Sequence, residues 1–234
     1  MRTNRAAAQI SVALLLSAVT AAAQELVSID VGDAANTPGT TVVDGDTYTI
    51  AGNGSDIWNA ADGFRFAYTE VSGDFEAVVH QVSIDLLKEW SKGGVHARQS
   101  IEAGAQNAQA IVTGGGASGA QLTWRPVANG ATDEFMDSAP GGWQDGECWV
   151  KLTRDSDEFH GYISEDGADW QDLLAVEVPM SDPILIGLAV CGVSTLATAT
   201  YDGFTVTSGG RTLYPLDVDG RGKVAVAWGA LKSR

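Results

Sequence analysis

Short runs rich in Val, Ile, Thr, Tyr, Phe and Trp recur along this chain at intervals of roughly ten residues, each closed by a turn signal. No window sustains a helical period, and only Ser83–Trp90 hints at a helical turn. The turn signals are Asp-Gly pairs at Asp44-Gly45, Asp62-Gly63, Asp145-Gly146, Asp166-Gly167, Asp202-Gly203 and Asp219-Gly220, with Asn-Gly pairs beginning at Asn53 and Asn129. Such pairs accept the positive φ of tight hairpins. Strands are predicted near 26–31, 46–51, 63–70, 74–84, 93–99, 107–113, 120–125, 148–154, 158–164, 170–177, 184–191 and 198–207. Many short strands need two packed sheets, because each antiparallel sheet must bury one face. The predicted fold is all-β, an antiparallel two-sheet β-sandwich. The 28 glycines among 234 residues serve its turns, and 44% apolar residues suffice for a core.

The first residues follow a different pattern. Arg2 and Arg5 precede an uncharged stretch, Ala6–Val19, and small residues close the segment at Ala21-Ala22-Ala23. This is the pattern of a secretory signal peptide cut before Gln24. The apolar stretch is about 14 residues, short of the ~20 a spanning helix needs, so a transmembrane anchor is not expected. The division expected is 1–23 signal peptide, 24–207 sandwich and 208–234 C-terminal extension of unassigned role, in a secreted and monomeric protein. With 30 Asp and Glu against 14 Lys and Arg, the formal charge is -16, which argues against nucleic acid as a partner. Cys148 and Cys191 are the only cysteines. Export permits a disulfide between them, and two buried thiols are the other reading.

Several motifs are incomplete. Gly114-Gly-Gly-Ala-Ser-Gly119 matches G-x-G-x-x-G after a strand, but the strand-like Ala120-Gln-Leu-Thr-Trp-Arg125 follows where a dinucleotide site needs a helix. Asp217-Val-Asp-Gly-Arg-Gly222 opens like a calcium loop, yet Arg221 and Trp228 stand where oxygen donors are required. His80, His96 and His160 are scattered and form no zinc spacing. No cofactor is therefore expected, and structural calcium is not indicated by a complete motif. No run of alternating acids of the kind β-sandwich glucanases carry on one strand is present. Asp74/Glu76 and Asp155/Asp157 read as solvated strand ends. No G-x-S-x-G occurs.

The most informative constellation is Lys92-Gly-Gly-Val-His-Ala-Arg98 taken with Gln121-Leu-Thr-Trp-Arg125. In an extended strand Lys92, Gly94, His96 and Arg98 share one face. Gln109, Gln121, Thr123 and Arg125 extend that surface on neighbouring strands, with Leu122 and Trp124 turned away. Cations and amides gathered on one face are unexpected in so acidic a chain. Such groups hydrogen-bond sugar hydroxyls or carboxylates, and Trp90 would stack on a pyranose. The candidate ligand-binding residues are Trp90, Lys92, His96, Arg98, Gln109 and Arg125. The competing reading is that Arg98 and Arg125 pair with acids and hold the sheet together. Of the tryptophans, Trp58 and Trp149 read as core, and Trp90 and Trp143 as exposed.

The ordered runs Gly52-Asn-Gly-Ser-Asp-Ile-Trp-Asn-Ala-Ala-Asp-Gly-Phe-Arg-Phe-Ala-Tyr68, Ser72-Gly-Asp-Phe75, Trp90-Ser-Lys-Gly-Gly-Val-His-Ala-Arg98, Trp149-Val-Lys-Leu-Thr-Arg154, Ile163-Ser-Glu-Asp-Gly-Ala-Asp-Trp170, Ile186-Gly-Leu-Ala-Val190 and Ala197-Thr-Ala-Thr-Tyr-Asp-Gly-Phe-Thr-Val206 carry a resemblance. The chain resembles bacterial exported domains of the concanavalin A-like lectin/glucanase superfamily, near the laminin G-like and regulation-of-enolase-like groups. The resemblance implies a jelly roll with one concave sheet, across which ligands, usually glycans, lie. By position it places the Lys92/His96/Arg98 strand and the Arg125 strand on that face. His96 departs from the pattern, standing where an apolar residue is expected, and Gln99 follows Arg98 where an acid is common.

The function expected is a secreted, non-catalytic module binding carbohydrate or another extracellular polymer on its concave face. The alternatives are a glycoside hydrolase or polysaccharide lyase with unrecognised acids, and a protein-binding adhesion module. An enzyme needs facing carboxylates in a groove, a lectin an open groove with exposed rings, and an adhesion module a flat apolar patch.

Overall fold

The computed structural model describes residues 26–113, 119–138 and 146–215, together with the backbone of Val218–Asp219 and Lys223–Val224. In chain order the strands are β1 (Val27–Val31), β2 (Thr40–Asp44), β3 (Thr47–Gly52), β4 (Ile57–Trp58), β5 (Ala61–Asp62), β6 (Phe64–Val71), β7 (Phe75–Ile84), β8 (Lys92–Arg98) and β9 (Asn107–Thr113). They continue as β10 (Gly119–Arg125), β11 (Asp133–Ser138), β12 (Cys148–Asp155), β13 (Glu158–Ser164), β14 (Gln171–Glu177), β15 (Ile184–Cys191), β16 (Ala197–Ser208) and β17 (Arg211–Tyr214). A seven-stranded sheet runs β1-β6-β15-β8-β9-β10-β11. An eight-stranded sheet runs β14-β13-β12-β7-β16-β3-β2, with β17 also on β16. The pairings within both sheets are antiparallel, and neighbours distant in sequence, such as β6 with β15, give the crossed connections of a jelly roll.

The main core lies between the sheets. From the seven-stranded side come Ala67, Val95, Ala97, Ala110, Leu122, Ile186 and Leu188; Val79, Val150, Leu152, Phe159, Tyr201 and Phe204 face them. Each fully buried Leu or Phe of this kind contributes about 1.5–3 kcal/mol. Gly93 is required where the sheets meet, since a Cβ there would approach the Tyr201 hydroxyl. That hydroxyl donates to the Ala189 carbonyl at 3.0 Å. The eight-stranded sheet alternates buried and half-buried residues, as along Cys148–Asp155, so its other face meets solvent.

The seven-stranded sheet behaves differently. Strands β8, β9 and β15 are buried at every residue. A second apolar cluster explains part of this: Val31, Ile57, Phe64, Phe66, Leu185, Ala189 and Cys191 pack on the face turned away from the main core. The small β4–β5 hairpin supplies Ile57 to it. Two sheet faces are therefore sealed rather than one, which is why Ile184–Cys191 reads as an unbroken apolar run.

All twelve expected strands form. Five segments were not expected as strands: β2, the β4–β5 pair, β11, β17 and the antiparallel pair Val218–Asp219 with Lys223–Val224. Ser83–Trp90 forms no helix; its first residues finish β7 and the remainder is a turn. The sandwich also extends beyond residue 207. Strand β17 pairs with β16, and Tyr214 enters the main core with its hydroxyl 2.6 Å from that of Tyr48. The Asp-Gly pairs divide: Gly45, Gly146, Gly167 and Gly203 take positive φ as expected, whereas Asp62 is buried and Gly63 does not. Strands β9 and β10 pair as an antiparallel hairpin, so the glycine run between them leads into no helix. Residues 114–118 themselves, the leader 1–23, Trp143 and the calcium-like loop at 217–222 with Trp228 lie outside the described residues, apart from the backbone of Val218–Asp219.

Candidate functional site

The grouping expected on β8, β9 and β10 is present as a register. Opposite one another across the sheet stand His96, Gln109, Thr123 and Glu134, and one row further on Arg98, Asn107 and Arg125. Apart from Glu134, which is exposed at the sheet edge, these side chains do not meet solvent. His96, Arg98, Gln109 and Arg125 have no exposed surface.

What covers them is the chain itself. The β4–β5 hairpin folds over the sheet and the segment 99–106 lies beside it, with the Asp62 N–H donating to the Ala103 carbonyl at 2.9 Å. Gly54 closes the base of the hairpin at φ 125°, where a Cβ would strike the Gly63 carbonyl. Asp62 then points into the sheet. Its carboxylate accepts from Arg125 Nη1 at 2.8 Å and Nη2 at 2.5 Å, from Arg98 Nη1 at 3.2 Å, and from Asn107 Nδ2 at 3.1 Å. Further guanidinium N–H groups go to backbone oxygens, Arg98 to Ser100 and Glu102 and Arg125 to Asn59 and Ala105, and Arg125 Nη2 also donates to Thr132 Oγ1 at 3.0 Å. Two buried cations with one buried anion need these carbonyls, because an unpaired buried charge costs several kcal/mol. Burial lowers Arg98 to about 10, against the pull of Asp62.

The tautomer of His96 follows from its neighbours. A guanidinium only donates, so His96 Nε2, 3.2 Å from Arg98 Nη1, accepts. The proton sits on Nδ1 and is donated to Gln109 Oε1 at 3.0 Å, while Gln109 Nε2 donates to Thr123 Oγ1 at 2.6 Å. Burial first, and then the adjacent Arg98, hold His96 well below the usual histidine range. The ring is a neutral relay between an arginine and an amide. It also packs against Phe64 and Phe66, with centroids 4.8 and 5.4 Å away.

A surface open to a ligand lies at the Lys92 end of the same face. There a cavity of about 240 Å³ is lined by Asp56, Trp58, Trp90, Lys92, Gln121 and Glu134. Trp58 comes from β4, Trp90 from the turn before β8, and Lys92 opens β8; Gln121 lies on β10 and Glu134 on β11. Both indole rings are half-buried. Lys92 Nζ lies 2.6 Å from Asp56 Oδ1, which also accepts the Ile57 N–H at 2.7 Å. Gln121 Nε2 donates to Glu134 Oε2 at 2.9 Å, and Gln121 Oε1 is buried with no hydrogen-bond partner.

Of the six expected ligand residues, Trp90 and Lys92 line this cavity. His96, Arg98, Gln109 and Arg125 are brought together, but beneath the hairpin and on Asp62. In this structure both arginines pair with Asp62, and their other polar contacts go to backbone carbonyls, His96 Nε2 and Thr132 Oγ1. Trp58 and Trp149 are not core residues. Trp58 borders the cavity, and Trp149 lies on the solvent face of the eight-stranded sheet, stacked on His80 at 4.8 Å. Sequence reasoning did not single out Asp56, Asp62 or Glu134. Asp62 was hidden by its Asp-Gly context, and an unbroken apolar β15 was the available sign that this face is covered. Asp74, Glu76, Asp155 and Asp157 are exposed at strand ends. Among the described residues no group of three or more His, Cys, Asp or Glu is placed to hold a metal ion.

Fold and cavity together define an antiparallel jelly-roll β-sandwich with a tryptophan-lined pocket on one sheet. No protein-family model and no curated protein matches the chain. Solved structures do. A functionally unknown protein from Saccharomyces cerevisiae is similar at TM-score 0.61 and 17% identity, over 72% of this chain and 91% of that one. The carbohydrate binding module CBM66 from Bacillus subtilis is similar at TM-score 0.51 and 15% identity, over 79% and 97%. A GH43 protein from Bacillus licheniformis is similar at TM-score 0.52 and 10% identity; this chain spans 38% of its length. At these identities the likeness is one of fold. Among the described residues no helix is long and apolar enough to cross a membrane.

Proposed function

We propose that this chain is an exported, non-catalytic β-sandwich that binds carbohydrate in the Asp56/Trp58/Trp90/Lys92/Gln121/Glu134 cavity. The observation that carries the reading is the pairing of two half-buried indole rings with an amide, two carboxylates and an ammonium around one pocket. Rings of this kind stack on sugar faces, and a few convergent polar groups set orientation. That one neighbour in fold is a carbohydrate binding module agrees with it. Residues 1–23 act as the signal peptide and deliver the chain to the periplasm or the medium. Within this reading the chain stands near the laminin G-like and regulation-of-enolase-like groups and acts as a monomer.

A glycan panel tests the proposal. The full chain is expected to bind at least one oligosaccharide, with binding lost in Trp58→Ala and Trp90→Ala. Unchanged binding in both variants would place the ligand elsewhere.

Asp56 and Glu134 bordering one pocket favour a second reading, a glycoside hydrolase. Release of reducing sugar by the chain, abolished in Glu134→Gln, would put that reading first.

A further inference from the structure

The cavity has a chemical bias. The acceptors of its lining are the carboxylates of Asp56 and Glu134 and the amide oxygen of Gln121, beside the donor N–H groups of the two indoles and of the Gln121 amide. Its one ammonium, Lys92, is 3% exposed and is paired with Asp56. One Glu134 oxygen accepts from Gln121 Nε2, and Glu134 itself is exposed at the rim. Gln121 Oε1 is an independent sign, since Gln121 is 1% exposed, lines the cavity and leaves that oxygen without a partner. A buried acceptor left unmatched costs roughly 1–3 kcal/mol, so a donor arriving there is rewarded. Two indole faces beside it attract cations. Two carboxylates against one ammonium, in a chain of formal charge -16, repel anions.

We propose that the pocket selects an amino sugar, a pyranose stacked on the tryptophans with its ammonium directed to Glu134 and Gln121 Oε1, and rejects uronic and sulfated sugars. The proposal rests on the carbohydrate reading above and adds the charge of the ligand to it. Glu134 and Gln121 are the residues that set specificity, and Trp58 and Trp90 supply affinity for any ring.

Three probes of one ring type separate these contributions: glucosamine oligomers, the same oligomers N-acetylated, and glucuronate oligomers, each titrated calorimetrically into the full chain. The expected order is amino, then N-acetylated, with the uronate not bound. Glu134→Gln is expected to weaken only the amino series, by about tenfold, the loss of one charge-assisted hydrogen bond. Added salt should weaken the amino series more than the N-acetylated one. Uronate binding as tight as that of the amino oligomer overturns the proposal. So does equal binding of the amino and N-acetylated series unaffected by Glu134→Gln, although that result leaves carbohydrate binding standing. Failure of all three probes and of the wider glycan panel removes both.

Discussion

Arg125 holds Asp62 through both terminal guanidinium nitrogens, Nη1 to Oδ2 at 2.8 Å and Nη2 to Oδ1 at 2.5 Å, with neither side chain exposed. Arg98 shares the same carboxylate. The contact spans 63 residues of sequence and pins the β4–β5 hairpin to the sheet. Asp62→Ala leaves two buried cations facing each other without their anion. A loss of about 3–5 kcal/mol is expected, read from denaturant midpoints, because breaking a buried pair costs far more than the pair contributes. A loss under about 1 kcal/mol would mean that the carbonyls alone satisfy the arginines.

His96 makes stability depend on pH. Unfolded, its imidazole takes a proton near pH 6.5, about the ordinary value. Folded, burial and Arg98 keep it neutral well below that. Below about pH 6.5 the unfolded state therefore binds the extra proton, and stability falls with pH by up to about 1.4 kcal/mol per unit; above it the contribution is complete. His96→Gln removes this dependence, so its stability should fall less steeply than that of the parent as the pH drops below about 6.5. Parallel curves for the two proteins would refute the assignment.

Cys148 and Cys191 are both free and buried, the first in the core between the sheets and the second under the hairpin on the outer face. Burial pushes Cys148 well above the usual thiol range and Cys191 up to about 12. Thiolate is the reactive form, so neither should react with a thiol reagent at neutral pH in the folded state. Both should react once the chain is unfolded without reductant. A chain that shows no free thiol after unfolding would contain the disulfide instead.

Tyr214 makes the sandwich longer than its strand pattern suggested. Tyr214→Ala removes a buried ring and its contact with the Tyr48 hydroxyl, at a cost of about 3–5 kcal/mol by analogy with other buried aromatics. Truncation after Thr207 should cost at least as much, since it also removes β17. Thermal midpoints unchanged in both would return residues 208–215 to the status of an appendage.

The alternating and punctuated strands were legible because strand periodicity is local. The shared face of Lys92, His96 and Arg98, and its continuation in Gln109 and Arg125, followed from the period of two along each strand. Whether that face is open did not. It depends on a hairpin of two-residue strands with almost no periodic signal, and on Asp62, whose Asp-Gly context imitates a turn. Trp58 looked like core by its neighbours in sequence, yet its neighbours in space are Lys92 and Glu134.

The amino-acid sequence by itself determined an antiparallel all-β sandwich and the residues that share each face, since both depend on spacing along one strand. Only the tertiary structure decided which of those faces a ligand can reach. Burial and charge pairing arise between segments far apart in the chain: Asp62 covers the arginines, and Asp56, Trp58, Trp90, Lys92, Gln121 and Glu134 become neighbours only when hairpin, turn and sheet close around one cavity.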